Sequence, residues 1–341
     1  MVAEMLTSAD YRCFDAAGLE DARQTLSSER LDLVVCDLRL AGRSGLALVR
    51  EIEAADDEPG VLLVIAINGS DLTHAAAVLG AQGCLVEPFN LNQLLISVDC
   101  ALLEGQRRKH APKAEREQER LRVQAVRSAI SGLEREASAV DGEAAELLQR
   151  LSDAIGRRNL QTAAHMRRIG ELSALLAELS GMSRDDVEAI RLAAPLHDVG
   201  KLAIPDSVLL KPGGLDPDER ALVEHHPEIG HYVLSASSSS LLELAAEIAL
   251  THQEKLDGSG YPAGIDGDQI PVAGRIVAVA DVYDALTTER PYRAAALTVD
   301  EAVRIMAAGR GIHFDPQLLD LLIAHVDTVQ AIANEFPDPR S

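Results

Sequence analysis

Fifty-four acidic residues against 32 basic ones leave the 341-residue chain with a net charge of −22, which argues against non-specific binding to nucleic acid or an anionic membrane. A polyanionic ligand would need a locally basic pocket, for which Lys201, Arg290 and Arg293 are the candidates. No apolar run reaches the roughly 18 residues of a membrane span, no basic-then-apolar leader opens the sequence, and Cys13, Cys36, Cys84 and Cys100 lack Cys-x-x-Cys spacing, so a non-inserted protein of the reducing cytoplasm without disulfides or a zinc knuckle is expected.

The length suggests two buried cores. In the first 103 residues helical and strand patterns alternate. Residue 1 already reads as helix, Tyr11–Phe14 as a strand, Leu19–Ser28 as a helix and Leu31–Asp37 as a buried strand. A helix near Gly45–Ala54, a strand Val61–Ile67, a helix Leu72–Leu79, a short strand Gly83–Val86 and a helix Leu91–Leu103 follow. Such alternation means a parallel sheet with helices on both faces.

Asp37 ends an apolar strand, where doubly wound sheets place their ligands; alone, it would more simply cap a turn. The run Val34-Val-Cys-Asp37-Leu-Arg-Leu-Ala-Gly-Arg-Ser-Gly45 resembles the phosphoacceptor segment of response-regulator receiver domains, and Glu87-Pro88-Phe89 resembles their closing Lys-Pro-Phe. Against that family Asn68 stands for a Thr or Ser, Glu87 stands for the Lys, and the first strand with its acidic pair is missing. The resemblance therefore implies a flavodoxin-like but degenerate receiver over residues 1–103, in which the phosphoacceptor-like Asp37 is not phosphorylated in the ordinary way. A longer natural chain is the expected explanation of the missing strand.

Residues 104–155 turn rich in Glu, Arg, Ala and Gln. Val123, Val126, Ile130, Leu133, Ala137, Val140, Ala144, Leu147, Leu151 and Ala154 follow steps of three and four. That seam predicts a left-handed coiled coil, hence a homodimer joined through a helical linker. The plain alternative is a single long helix packed on its own domain.

Beyond residue 155 strand signals vanish and helix starts are frequent. Ser183 with Asp186, Asp216-Pro217 with Glu219, Thr298 with Glu301, and Asp315-Pro316 all read as capped N-termini. Residues 156–341 are therefore expected to form an all-α bundle. Val187, Ile190, Ala193, Ala194 and His197 share an inward face, which directs His197 and Asp198 to the core.

Within that bundle lie His165, His197-Asp198-Val-Gly-Lys201, His226-Pro-Glu-Ile-Gly, His252-Gln-Glu-Lys-Leu-Asp-Gly-Ser-Gly-Tyr261-Pro262 and Asp281-Val-Tyr-Asp284-Ala-Leu-Thr-Thr-Glu-Arg290-Pro-Tyr-Arg293. Burying several His and Asp side chains together without a cation leaves polar groups unpaired at about 1–3 kcal/mol each. Mixed imidazole and carboxylate donors suit Fe or Mn, with Zn, Ni or Co as alternatives. The pattern, in this order, resembles the HD-GYP family over roughly residues 150–325.

That resemblance implies a metal-dependent phosphodiesterase, hydrolysing cyclic di-GMP to pGpG or GMP at two divalent ions that activate water for attack on phosphorus. It further implies His165, His197, Asp198, His226, His252 and Asp281 as ligands, with Asp198 bridging. Lys201, Arg290 and Arg293 fall at phosphate-contacting positions and Tyr261 at the family's Tyr. Asp284 falls among the substrate-site positions, where it could also orient ligands or hold a water. Gln161 stands where many members carry Glu, and Gln253 where the family usually has a second His; both are weak ligands at best, which limits the centre to two ions. The alternative reading is a catalytically weak or inactive HD-GYP protein that senses cyclic di-GMP or docks signalling partners. Glu254 and Lys255 read as a solvated pair, His225 and His231 as surface or cap residues, and His313 as packing at a helix start.

Overall fold

The computed structural model describes residues 1–37, 48–49, 51–52, 59–65, 81–110, 162–211, 213–235, 239–288 and 296–338. Asn68, the helix expected at Leu72–Leu79, the heptads of residues 123–154, Gln161, Arg290 and Arg293 lie outside them. The chain divides into two compact units, each discontinuous in sequence: Met1–Gln124 with Ala203–Val223, and Ala125–Leu202 with Glu224–Ser341.

The first unit holds a parallel sheet of three strands in the order β1 (Leu33–Asp37), β2 (Gly60–Ile65), β3 (Gly83–Val86). Register runs from Leu33 opposite Gly60 to Asp37 opposite Val64, and from Leu62 opposite Gly83 to Ile65 opposite Val86. β2 is buried along its whole length, as its unbroken apolar run requires of a central parallel strand. Helix α1 (Val2–Thr7) joins the sheet's core through Leu6, α2 (Leu19–Ser28) buries no residue, and α3 (Leu91–His110) packs on all three strands. Helix α2 has the bounds expected from the sequence, and α3 runs seven residues past the expected Leu103.

Tyr11–Phe14 corrects the sequence reading, because it is not a strand. A strand needs a neighbour to take its N–H and C=O groups, and among the described residues β1 pairs only with β2. The segment is pinned by a side chain instead, the Tyr11 hydroxyl donating to Asp99 of α3 at 2.5 Å.

Leu6, Leu62, Leu85, Leu94, Val98 and Ala101 form the core of this unit, and Leu222 joins them. Leu222 belongs to the segment Ala203–Val223, whose backbone forms a short helix at Asp206–Leu209 and another at Pro217–Glu224. The Ser207 hydroxyl donates to Cys100 Sγ at 2.9 Å, and the Asn90 and Asn92 amides donate to Asp218 at 3.3 and 3.1 Å.

The second unit is helical: α4 (Ala163–Leu179), α5 (Arg184–Ala193), α6 (His226–Leu234), α7 (Ser240–Thr251), α8 (Val272–Thr287), α9 (Val299–Ala308), α10 (Pro316–Ala324) and α11 (Val326–Glu335). All four predicted caps form, three in this unit and the Asp216 cap in the first. Ser183 accepts from Asp186 N–H, Asp216 from Asp218 and Glu219 N–H, and Asp315 from Gln317 and Leu318 N–H, while Thr298 and Glu301 close a reciprocal capping box. Helix α4 packs on α5 and α8, and α7 packs on α5, α6 and α8, so five helices converge on one interior.

Candidate metal centre

Each imidazole reaches that interior from a helix end or a turn. Thr162 caps α4 by accepting from His165 N–H at 3.0 Å, which sets His165 in the first turn. Helix α5 ends at Ala193, and two short 3₁₀ turns, Ala194–Leu196 and Val199–Ala203, flank His197 and Asp198. His226 opens α6, His252 follows the last residue of α7, and Asp281 lies within α8.

Glycine makes the approach possible. A methyl group on Gly200 would overlap the His226 carbonyl oxygen and the Gly230 N–H, so only glycine lets the turn after Asp198 lie against the start of α6. Gly260 is pressed against the backbone of Glu254 and Lys255 in the same way.

His165, His197, Asp198, His226 and His252 are all buried, each less than 5% exposed. His165, His197 and Asp281 can place one ligand atom each within 4.8 Å of one another, as can His197, Asp198 and His252. The two groups share His197. His226 Nε2 lies 3.1 Å from Asp198 Oδ1 and 3.3 Å from His252 Nε2. All six residues implied as ligands are thus in one cluster.

Tautomers are set from behind. Nδ1 of His197 lies 3.0 Å from the Ala194 carbonyl, Nδ1 of His252 lies 2.9 Å from the Ala249 carbonyl, and Nδ1 of His165 lies 2.7 Å from Asp284 Oδ2. Each bond calls for a proton on Nδ1 and leaves Nε2 as a lone-pair donor facing the cluster. His165 Nε2 is buried with no hydrogen-bond partner among the described residues. His197 Nε2 is buried and without a hydrogen-bond partner among the described residues in the same way, and two such imidazole lone pairs beside buried carboxylates are what a divalent cation satisfies, so the residues present fit the metal that the sequence implies.

Electrostatics agree with a site built for positive charge. Burial works against ionisation of Asp198, but Lys201, His197 and His226 hold its carboxyl well below the ordinary range. Burial pulls the His226 pKa down to about 4 against the opposing effect of Asp198. For His197 burial also acts downward, yet Asp198 and Asp281 raise it above the ordinary value.

The rim is more open than the floor. Lys201 Nζ lies 2.5 Å from Asp198 Oδ2 with its side chain 23% exposed, and Asp281 is 18% exposed. The Tyr261 ring stands edge-on to His226, centroids 6.2 Å apart. Gln253 is partly exposed, and its carbonyl accepts from Tyr261 N–H at 3.3 Å.

Two readings change, and one residue was missed. Asp284, expected among the substrate-site residues, is 1% exposed and bound to His165 and Arg168, so it lies buried behind His165. Glu254, read as solvated, is 3% exposed, and its Oε1 accepts from Ala263 N–H at 2.8 Å and Gly264 N–H at 3.1 Å, holding the Gly-Tyr-Pro loop. Arg168 was missed altogether. Its signal in the sequence was a polar pair, His165 and Arg168, at helical spacing on a face otherwise made of Met166, Ile169 and Leu172. His225 pairs with Glu228, His231 meets the Ala246 carbonyl, and His313 stacks on Phe314, all outside the cluster.

A helical bundle with a buried His/Asp cluster, joined to a receiver-like sheet, defines a metal-dependent phosphohydrolase under regulatory control. The HD domain family matches residues 149–318, and the response regulator receiver family matches residues 1–99. Over 331 residues the chain is 37% identical to the cyclic di-GMP phosphodiesterase response regulator RpfG of Xanthomonas campestris, covering 96% of this chain and 84% of that one. Identity to a cyclic di-GMP phosphodiesterase of Thermotoga maritima is 34% over 300 residues, 87% of this chain and 79% of the relative. A 3'3'-cGAMP-specific phosphodiesterase of Vibrio cholerae is 45% identical over 194 residues, 57% of this chain and 37% of that one. The chain belongs to the receiver-linked HD-GYP phosphodiesterase family.

Proposed function

We propose that the chain hydrolyses cyclic di-GMP to pGpG or GMP under control of its receiver-like unit. The carrying observation is the pair of three-residue ligand groups that share His197, in a chain related over nearly its whole length to cyclic di-GMP phosphodiesterases.

Divalent ions, two in number and Fe or Mn by donor chemistry, would be held by His165, His197, Asp198, His226, His252 and Asp281, and when bound supply Lewis acidity at the phosphoryl oxygens and lower the pKa of water. The chain's own residues do the rest. The floor of buried imidazoles excludes bulk water, which strengthens every charge interaction at the site. Lys201, at the open rim, places an ammonium beside Asp198 where a phosphate would enter. Arg290 and Arg293 are assigned to the phosphates by their place in the motif, and Tyr261 to the dinucleotide by its position at the rim.

Residues 1–103 are assigned to regulation, 104–155 to a dimerising linker and 156–341 to chemistry. A cytoplasmic location fits the free cysteines and a cyclic dinucleotide substrate.

The test is hydrolysis by purified protein loaded anaerobically with Fe²⁺ or Mn²⁺, with 3'3'-cGAMP run beside cyclic di-GMP and products separated chromatographically. Faster turnover of cyclic di-GMP, lost together with the metal in the His197→Ala/Asp198→Ala protein, is expected. Preference for 3'3'-cGAMP would overturn the substrate, and bound dinucleotide without product would make the chain a sensor, with Gln253 as the first suspect.

A further inference from the structure

We propose that Arg168 is a positioning residue for the metal centre, fixing His165 through Asp284 and held in turn by the C-terminal segment Phe336–Asp338. The inference rests on the metal-site reading above and assigns work to residues outside the ligand set.

Arg168 is among the largest fully buried side chains of the chain, at 2% exposure. A buried guanidinium is expensive unless its donors are met by carboxylates and carbonyls, and here they are. Nε donates to Asp284 Oδ1, and Nη2 to Asp284 Oδ2 at 3.1 Å, a two-pronged grip on one carboxylate. Nη1 donates to the Phe336 carbonyl at 2.8 Å, and Nη2 also reaches Asp338 Oδ2 at 3.1 Å. Asp284 passes the constraint on, since its Oδ2 is the atom that holds His165 Nδ1.

The circuit closes on itself. The Thr162 hydroxyl donates to Asp338 and accepts from His165 N–H, so His165, Asp284, Arg168, Asp338 and Thr162 form a ring of hydrogen bonds. Both the ring nitrogen and the backbone of His165 are thereby tied to one guanidinium. A core ion pair serving stability alone needs no link to a ligand's Nδ1. The C-terminal segment is thus a latch on the His165 side of the centre.

Full-length Arg168→Lys and Asp338→Asn proteins, stripped of metal, would be titrated with Mn²⁺ alone and followed by calorimetry and electron paramagnetic resonance, with thermal unfolding measured in parallel. Lys keeps the charge but cannot fork. Arg168→Lys is expected to weaken one Mn²⁺ equivalent by about 10-fold, the low end of the range for loss of a ligand's outer partner because Asp284 itself stays, and to leave the other unchanged. Asp338→Asn, at a partly exposed position, is expected to weaken the same equivalent several-fold. Folded Arg168→Lys protein with both affinities intact would overturn the proposal. If Arg168→Lys does not fold, Asp338→Asn decides, and unchanged Mn²⁺ affinity there overturns it. Mn²⁺ affinity is read without substrate, so failure of the cyclic di-GMP assignment would not disturb this result.

Discussion

His226 sits between opposed forces. Burial holds it neutral down to a pKa of about 4, whereas in the unfolded chain an imidazole titrates near 6.5. Between those values the unfolded state carries more protons, so stability rises with pH across the window and is lost as pH falls from about 6.5 toward 4. The metal-free protein should show that slope in urea unfolding at stepped pH, and His226→Asn should flatten it; an unchanged slope would mean that His226 is not buried neutral. That His165, His197, Asp198, His226, His252 and Asp281 would cluster was legible because imidazole and carboxylate recur in a set order along the sequence. Arg168 and Glu254 were not legible in the same way. Their burial depends on partners chosen by packing, a carboxylate on α8 for one and two loop N–H groups for the other.

The loop from Asp257 to Gly264 depends on Glu254, which anchors it from the turn after α7. Glu254→Ala would leave the N–H groups of the exposed Ala263 and Gly264 to bond water, so what is lost is the net worth of two hydrogen bonds to a charged acceptor, at most about 1.5–3 kcal/mol each. We expect Glu254→Ala to lose about 2 kcal/mol or more in urea unfolding and to speed hydrogen exchange at those two amides, and Glu254→Gln, whose amide oxygen still accepts, to recover most of both. Unprotected amides in the parent protein would sink this reading of the loop. Helix starts were the most legible elements because a cap is a local contract among three or four residues, as at Thr298 and Glu301. Tyr11–Phe14 was misread for the converse reason: an apolar, aromatic run fits a strand, but strandhood needs a neighbour.

Across the whole molecule, the two fold classes followed from the alternating helix and strand patterns of the first 103 residues and the loss of strand signals later in the chain. Their interleaving did not, because no local pattern announces that Leu222 will pack beside Leu62 and Leu94. Leu222→Ala, in the full chain, should cost about 2–5 kcal/mol in the unit that contains the sheet, read as faster hydrogen exchange in β2 and β3; exchange as slow as in the parent would exclude Leu222 from that core. Between Asp198 and His226 the backbone leaves one unit at Leu202 and returns at Glu224. The intervening segment serves the sheet's core while its two ends are tethered to the metal cluster. Recombination between α3 and α4 would therefore not exchange regulators cleanly, since a new N-terminal half would inherit a segment shaped to its predecessor. The two halves must be passed on together, and lineages of this architecture should diversify by drift within the pair more readily than by swapping its members.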